Sequence, residues 1–435
     1  MNWSLALIAT CISIVSFGMD QVIIKKIATG ADINEIATLH FTHVFITGTG
    51  FYILLIGASF IFPSFFTLHP YLTGFAISLV LVYYSSPFRQ IAHGKERFHY
   101  LSVISICSNL IKVLLLLTAI LFYRFSVSTV IVIYIIASAV ELVMGLFLIK
   151  SKFNVALLWP FNKKKYVDLI RESLPQLVVI IFNSGIARFD WIILGLMTTA
   201  AVTAEYTFAY RVFELAAFPL LIIAPVLLPR ISRYLISHDR LLKVFEKEFL
   251  LLLKLEMIMA CLIPLALNFI WADLLNPLTD NKYGSTNATI FLLLSLAIPL
   301  LYLNNFFWTI AFAGGKMKKI ISNFTVTFLI NIIGGFILIP LMKGEGAAIA
   351  YLVAIIVQSV LFVLAGRKEG LVIPLRPLII ALVCAIASFI LVSQFLLNPP
   401  ARLFTGIFAY LFLVAATGLI RINDFKMLKQ LLQGS

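Results

Sequence analysis

Residues 171–233 read RESLPQLVVIIFNSGIARFDWIILGLMTTAAVTAEYTFAYRVFELAAFPLLIIAPVLLPRISR. The two apolar runs, at roughly 174–196 and 206–228, each reach the length of about 20 residues that crosses a bilayer, and only a short turn joins them. Arg171 precedes the first run, and Arg230 and Arg233 follow the second. Both open ends of this hairpin therefore lie on one side of a membrane, the inner side by the positive-inside rule.

The rest of the chain repeats the pattern. Of its 435 residues 62% are hydrophobic and 12% charged, with a mean hydropathy of +1.05, whereas soluble domains are about 45–50% apolar and about 25% charged. A water-soluble enzyme is excluded. Apolar runs closed by charges or Gly/Pro predict about thirteen membrane helices, at roughly 3–24, 41–62, 70–92, 101–122, 126–149, 174–196, 206–228, 249–271, 288–311, 320–341, 345–365, 377–397 and 402–420. Little chain remains for a soluble domain.

Charge distribution fixes the topology. The net charge is +14, yet the basic residues form no continuous tract of the kind nucleic acid would need. Placing alternate loops on opposite sides puts 25 of the 33 Lys and Arg residues on one face, and only Arg124, Lys282, Lys343 and Arg402 on the other. The C-terminus is then cytoplasmic and the N-terminus outside. The chain enters apolar sequence at Trp3 without the positive n-region of a signal peptide, so either the protein is N-out or one helix is missing from the front. Cys11, Cys107, Cys261 and Cys384 all lie in apolar stretches without metal-ligand spacing and read as core residues.

Self-comparison exposes a duplication. The stretch from Ser85, SSPFRQIAHGKERFHYLSVISICSNLIKVLLLLTAIL, parallels NNFFWTIAFAGGKMKKIISNFTVTFLINIIGGFILI, setting His93-Gly94-Lys95 on Gly314-Gly315-Lys316. A weaker match sets Ile24-Lys25 on Pro229-Arg230. Such repeats are common in transporters. They divide the chain into an N-terminal bundle (1–152, five helices), a C-terminal bundle (173–370, six helices) and a C-terminal helix pair with tail (371–435). The unmatched partner of the helix at 174–196 is expected upstream of Met1, giving fourteen helices as six, six and two.

Several residues of the opening stretch carry a family resemblance: the Arg-x-Asp step (Arg188, Asp190), Ala-Glu-Tyr and Ala-Tyr-Arg (Tyr206, Ala209, Tyr210, Arg211), and the closing Leu-Pro-Arg (Pro229, Arg230). Together with Gly18-Met19-Asp20 and Ile24-Lys25-Lys26, they resemble the bacterial polysaccharide and O-antigen flippases of the multidrug/oligosaccharidyl-lipid/polysaccharide exporter superfamily. The departure from that pattern is the absent first helix. The resemblance implies an all-α polytopic membrane protein with a MATE/MOP-like arrangement of two homologous bundles around a V-shaped cavity. It also implies an inner-membrane location and movement of a polyprenyl-pyrophosphate-linked sugar unit between leaflets by alternating access, without bond chemistry. Expected partners are the lipid-linked oligosaccharide, membrane lipids and polysaccharide-assembly proteins, with no nucleic acid. No cofactor is expected beyond a coupling ion, H+ or Na+.

Ionisable groups at membrane depth are costly and mark function by default. Arg188, Asp190 and Arg211 fall at comparable depth in the outer half of their helices, with Glu214 one turn from Arg211. Two guanidiniums suit a diphosphate, because each can hold its oxygens bidentately; alternatively, either Arg pairs with Asp190 or Glu214 and fastens the helices. Lys112, near the middle of its helix with Asn109 one turn earlier, reads as cavity-lining opposite the Arg pair or as snorkelling. Glu141 is the counter-charge of Lys112 or a proton or sodium site. Asp20 forms a helix-end salt bridge near Lys25 or couples to an ion. Lys254 and Glu256 read as snorkelling groups. Tyr206, Tyr210 and Phe213 can stack on sugar rings or anchor at the interface, and His43, His93 and His99 form no ligand-like cluster.

A cation-coupled multidrug exporter of the same fold would want an acidic cavity, which Arg188, Arg211 and Lys112 oppose. A membrane polymerase or ligase would need acid and base groups on a sizeable outer loop, and the longest, 272–287, offers only Asp273 and Asp280.

Overall fold

A computed structural model of the protein describes residues 2–68, 70–122, 126–158, 162–237, 247–368, 375–395, 398–421 and 424. All the regular structure among these residues is helical. The first helices in order are α1 (Asn2–Val15), α2 (Met19–Ala28), α3 (Ile33–Ile61), α4 (Pro63–Leu68), α5 (Leu72–Tyr84), α6 (Ser86–Gly94), α7 (Phe98–Phe122) and α8 (Val127–Lys152). There follow α9 (Lys163–Met197), α10 (Ala200–Ala216), α11 (Phe218–Ser237), α12 (Lys247–Leu278), α13 (Ala288–Ser295) and α14 (Ile298–Ala313). The last are α15 (Met317–Lys368), α16 (Arg376–Ser393) and α17 (Pro399–Ala416). Among the described residues nine helical stretches are long and apolar enough to cross a membrane, and the bent pair α1–α2 makes a tenth.

Several spans that read as continuous are broken. α1 and α2 meet at 51° where Phe17 (φ 54) and Gly18 (φ 67) are both left-handed. Gly18 is required for closeness as well as for its φ: a Cβ there would lie 2.9 Å from the backbone nitrogen of Leu177. The expected span 70–92 splits at Ser85 into α5 and α6, and 288–311 splits into α13 and α14; each second half carries proline in its first turn, where the missing N–H costs nothing. The span 206–228 likewise divides at Ala217 into α10 and α11. Conversely, 320–341 and 345–365 run together in α15, as two legs that meet at Lys343 (φ 51, ψ −125).

Other spans extend beyond their apolar limits. α3 starts at Ile33, with Asp32 accepting the Asn34 N–H at 3.0 Å as a cap, because its first two turns are amphipathic and bury Ile36, Ala37, Leu39 and His40. α9 starts at Lys163, so much of the basic connection 150–173 is helical; Lys165 pairs with Glu35, and Lys26 lies 2.7 Å from Glu172.

Backbone contacts group the chain into two compact units, Met1–Ile181 with Leu228–Arg233, and Phe182–Leu227 with Tyr234–Ser435. In the first, Ile8, Leu72, Phe75 and Ala76 form a core to which α1, α3, α5 and α8 contribute. In the second, the Trp271 and Phe291 rings stack 3.8 Å apart, and α16 and α17 pack on α12, with the Tyr410 hydroxyl donating to the Ile258 carbonyl at 3.0 Å. Large apolar side chains remain exposed, among them Phe60, Leu121, Leu196, Leu341 and Phe408, as expected of surfaces that a bilayer covers.

The repeated turn is present, but its register differs from the sequence match. α6 ends with N–H bonds from Lys95 to Ile91 O, Glu96 to His93 O and Arg97 to Ala92 O; α14 ends with the same pattern from Gly314 to Ile310 O, Gly315 to Phe312 O and Lys316 to Ala311 O. Glu96 (φ 56) therefore corresponds to Gly315 (φ 72), two residues from the alignment on His93-Gly94-Lys95. The glycines drew the sequence match, whereas the backbone cap defines the equivalence.

Candidate functional site

The second unit gathers Arg188, Asp190, Tyr210, Arg211 and Glu214 on α9 and α10. Glu214 holds both arginines: Arg188 Nη2 lies 3.7 Å from its Oε1, and Arg211 Nη1 donates to its Oε2 at 3.2 Å. Two positive charges thus share one negative charge, and all three side chains are between a third and about half exposed. Their guanidiniums also flank one indole, with Arg188 4.6 Å and Arg211 5.1 Å from the Trp191 ring centroid. Cation–π contacts of this kind contribute about 0.5–2 kcal/mol each. Trp191 escaped the sequence reading, although its i+3 spacing from Arg188 places it on the same helix face.

Asp190 takes no part in that ion group. It is fully buried and accepts hydrogen bonds from the Tyr206 hydroxyl at 2.9 Å and from Asn331 Nδ2 at 3.1 Å. Asn331, on the first leg of α15, also donates to Ile186 O at 3.2 Å, while its own Oδ1 has no hydrogen-bond partner among the described residues. An Asn within an apolar run was the available signal. Tyr210, offered as a stacking platform, is instead buried at 2% exposure among Trp191, Tyr206, Phe213 and Tyr351, with ring centroids 5.3–5.9 Å away; its ring supports the indole.

Replacing Asp190 by Ala strands the Tyr206 and Asn331 donors in the interior, and should lower unfolding stability by about 2–4 kcal/mol, read as an earlier thermal transition of purified protein. Asp190→Asn keeps an acceptor and should recover most of that loss. Equal damage from Asn and Ala would show that the charge, not the hydrogen bonding, holds this cluster.

The first unit holds the others, with different partners from those expected. Glu141 does not neutralise Lys112: its Oε1 accepts from the Ser85 hydroxyl at 3.1 Å and lies 4.0 Å from Arg89 Nη1. Arg89 also donates its Nη2 to the Val82 carbonyl at 3.0 Å. Lys112 bonds Asn109 at 3.4 Å and sits over the Tyr134 ring at 4.8 Å. Asp20 lies 3.6 Å from His40 rather than pairing along its helix with Lys25, and Gln90 is within hydrogen-bonding reach of its carboxyl. Asp20 and Arg89 both line a cavity of 440 Å³, with Ser13, Ser16, Tyr83 and Ser86.

His43, and Glu256, which reads as snorkelling, are both buried. His43 Nδ1 lies 3.0 Å from the Tyr166 hydroxyl. Glu256 is 2% exposed and neither carboxyl oxygen has a hydrogen-bond partner among the described residues, whereas Lys254 reaches Asp424 at 3.4 Å. Glu256 follows Lys254 by two positions, which rotates it to a different face of the helix. Among the described residues no group of three or more His, Cys, Asp or Glu side chains is placed to hold a metal ion.

A family model described as "Polysaccharide biosynthesis protein" matches residues 1–235. No curated protein matches the chain. Among solved structures, the Vibrio cholerae MATE transporter VcmN in its bent form is similar at a TM-score of 0.67 and 14% identity, covering 85% of this chain and 88% of that one. The lipid II flippase MurJ, in an inward closed conformation, is similar at a TM-score of 0.57 and 13% identity, covering 96% and 99%. A transporter of the MOP superfamily from Pyrococcus furiosus is similar at 0.64 and 15%, covering 83% and 84%.

Proposed function

Because this chain belongs to the polysaccharide biosynthesis protein family, with the helical fold of MATE and MOP transporters, we propose that it is a flippase for a polyprenyl-pyrophosphate-linked oligosaccharide in the bacterial inner membrane. The observation that carries this reading is the pair Arg188 and Arg211 on a single carboxylate, Glu214. The group retains one positive charge, and an incoming diphosphate can take over guanidinium donors from Glu214 in bidentate geometry. The Trp191 face beside both guanidiniums offers a surface for a sugar ring. Within the first unit, Lys112 is a separate half-exposed cation.

Movement between leaflets then follows alternating access, with the polyprenyl tail remaining in lipid. Asp190 with the unpartnered Asn331 Oδ1 is the candidate coupling site for Na+ or H+, since a carboxylate and an amide oxygen are hard ligands; Asp20 and Glu141 are the alternatives. In this reading the basic connections are cytoplasmic, as is the C-terminal end, and polysaccharide-assembly proteins are partners.

Proteoliposomes containing the purified protein and a fluorescent polyprenyl-pyrophosphate oligosaccharide provide the test. Quencher-accessible fluorescence should redistribute between leaflets, at least tenfold faster than for the same sugar on a monophosphate. Equal rates for both head groups, or movement of cationic drugs without movement of the lipid, would overturn the assignment.

A further inference from the structure

The second unit also holds a pocket whose lining differs in chemistry from the arginine group. The C-terminal end of α14 and the adjoining ends of both legs of α15 enclose a cavity of 430 Å³. Lys316, Lys318, Lys319 and Lys368 line it, and no carboxylate does among the described residues. Its other walls are mostly apolar, with Phe307, Ile310, Leu361 and Leu364 along them and Ser322 and Asn323 as the polar exceptions. These lysines belong to the face that the positive-inside count assigns to the cytoplasm. A cationic rim over an apolar slot at a membrane surface matches a lipid with an anionic head group, because basic pockets between membrane helices on that side select phosphate-bearing head groups.

Two further observations narrow the ligand. Asn323 lines the same cavity, is 5% exposed, donates its Nδ2 to Gln358 O at 3.2 Å, and leaves its Oδ1 without a hydrogen-bond partner among the described residues. A buried acceptor without a donor costs free energy unless something fills the role, and a head-group hydroxyl would. The equivalent turn of the first unit also differs in charge. Glu96 stands there and holds two arginines, 2.5 Å from Arg233 and 3.9 Å from Arg230, whereas Gly315 supplies no carboxylate. The first turn carries its own anion at the left-handed position and the second does not.

We infer that the pocket between α14 and the two legs of α15 binds an anionic glycerophospholipid with a hydroxyl-bearing head group, of the phosphatidylglycerol type, from the inner leaflet. Lys318 and Lys368 hold the phosphate, Asn323 accepts from the glycerol hydroxyl, and an acyl chain follows the Leu361 and Leu364 wall. The occupant is a bilayer lipid rather than the transported one.

Native mass spectrometry of detergent-purified protein, titrated separately with phosphatidylglycerol, phosphatidic acid and phosphatidylcholine, tests this. Wild type should retain phosphatidylglycerol at least tenfold more tightly than phosphatidylcholine, and the double variant Lys318→Gln/Lys368→Gln should lose that margin. Asn323→Leu should abolish the preference for phosphatidylglycerol over phosphatidic acid while keeping the preference over phosphatidylcholine. Arg188→Gln should change neither. Equal retention of phosphatidylglycerol and phosphatidylcholine by wild type would overturn the proposal, as would displacement of the bound lipid by millimolar inorganic phosphate. Displacement by a polyprenyl pyrophosphate, sensitive to the lysine changes and indifferent to Arg188→Gln, would overturn it too, by reassigning the pocket to substrate entry. Each readout is independent of transport, so failure of the flippase assignment would leave this result standing.

Discussion

Cells carrying Arg188→Gln/Arg211→Gln as their sole copy of this protein should lose surface polysaccharide altogether, with the protein present at normal levels. Glu214 accepts from both guanidiniums, so removing one arginine leaves a neutral pair and removing both leaves a bare carboxylate that repels a diphosphate. A charge-assisted hydrogen bond is worth about 1.5–3 kcal/mol, and about 1.4 kcal/mol is a factor of ten. Each single variant should therefore lower apparent affinity for the lipid-linked sugar by roughly ten- to a hundredfold. Lysine at either position keeps the charge and loses the fork, so it should rescue only part of that loss. Quantitative polysaccharide staining, normalised to protein abundance on immunoblots, gives the readout; wild-type staining in the double variant would remove these arginines from the transport path.

Gly346→Val should eliminate folded protein. The two legs of α15 reverse direction around Lys343 so tightly that a Cβ on Gly346 would press into the Leu338 carbonyl oxygen and lie 2.6 Å from its carbon. Those atoms are backbone of the opposing leg and cannot swing aside as a side chain could. Overpacking in a core typically costs about 1–3 kcal/mol, occasionally more, and a backbone clash of this depth belongs at or beyond about 3 kcal/mol, a large share of the roughly 5–15 kcal/mol that holds a typical domain. Size-exclusion chromatography of fluorescently tagged protein from solubilised membranes would show the monodisperse peak replaced by void-volume material. Gly57→Ala in α3, where a Cβ would meet nothing within 4 Å, is the matched control and should leave the peak intact. A normal peak for Gly346→Val would mean that the legs are looser than their geometry indicates.

What can be read from sequence follows from what hydropathy senses. The mean transfer cost over a window of about 20 residues locates membrane helices, and the expected intervals overlap helices among the described residues, although nine or ten of those stretches, not thirteen, are long and apolar enough to cross a membrane. That same average is blind to a single left-handed pair such as Phe17 and Gly18, to a proline-marked break such as Ser85, and to a helix such as α9 that begins at Lys163, well before its apolar run. Ionisable residues at depth are conspicuous, and Arg188, Arg211 and Glu214 do meet. Their partners are less legible, because intramembrane charges pair across helices whose rotation depends on packing. Glu141 takes Arg89, Asp190 takes two neutral donors, and Glu256 turns inward. Trp191, the ring that both guanidiniums share, sits at i+3 from Arg188, yet in sequence it carries the same weight as any aromatic anchor near a helix end.

The matched turns after α6 and α14 have a consequence for how the two halves could diverge. Their shape is written in three main-chain bonds, so the side chain at the left-handed position was free to change without disturbing either hairpin. Glu96 gives the first turn a carboxylate that Arg230 and Arg233 share, whereas glycine leaves the second turn without one at that position. A lipid seated beside the second turn would make the second unit responsive to the composition of the leaflet around it, a dependence that rests on a single position of the chain.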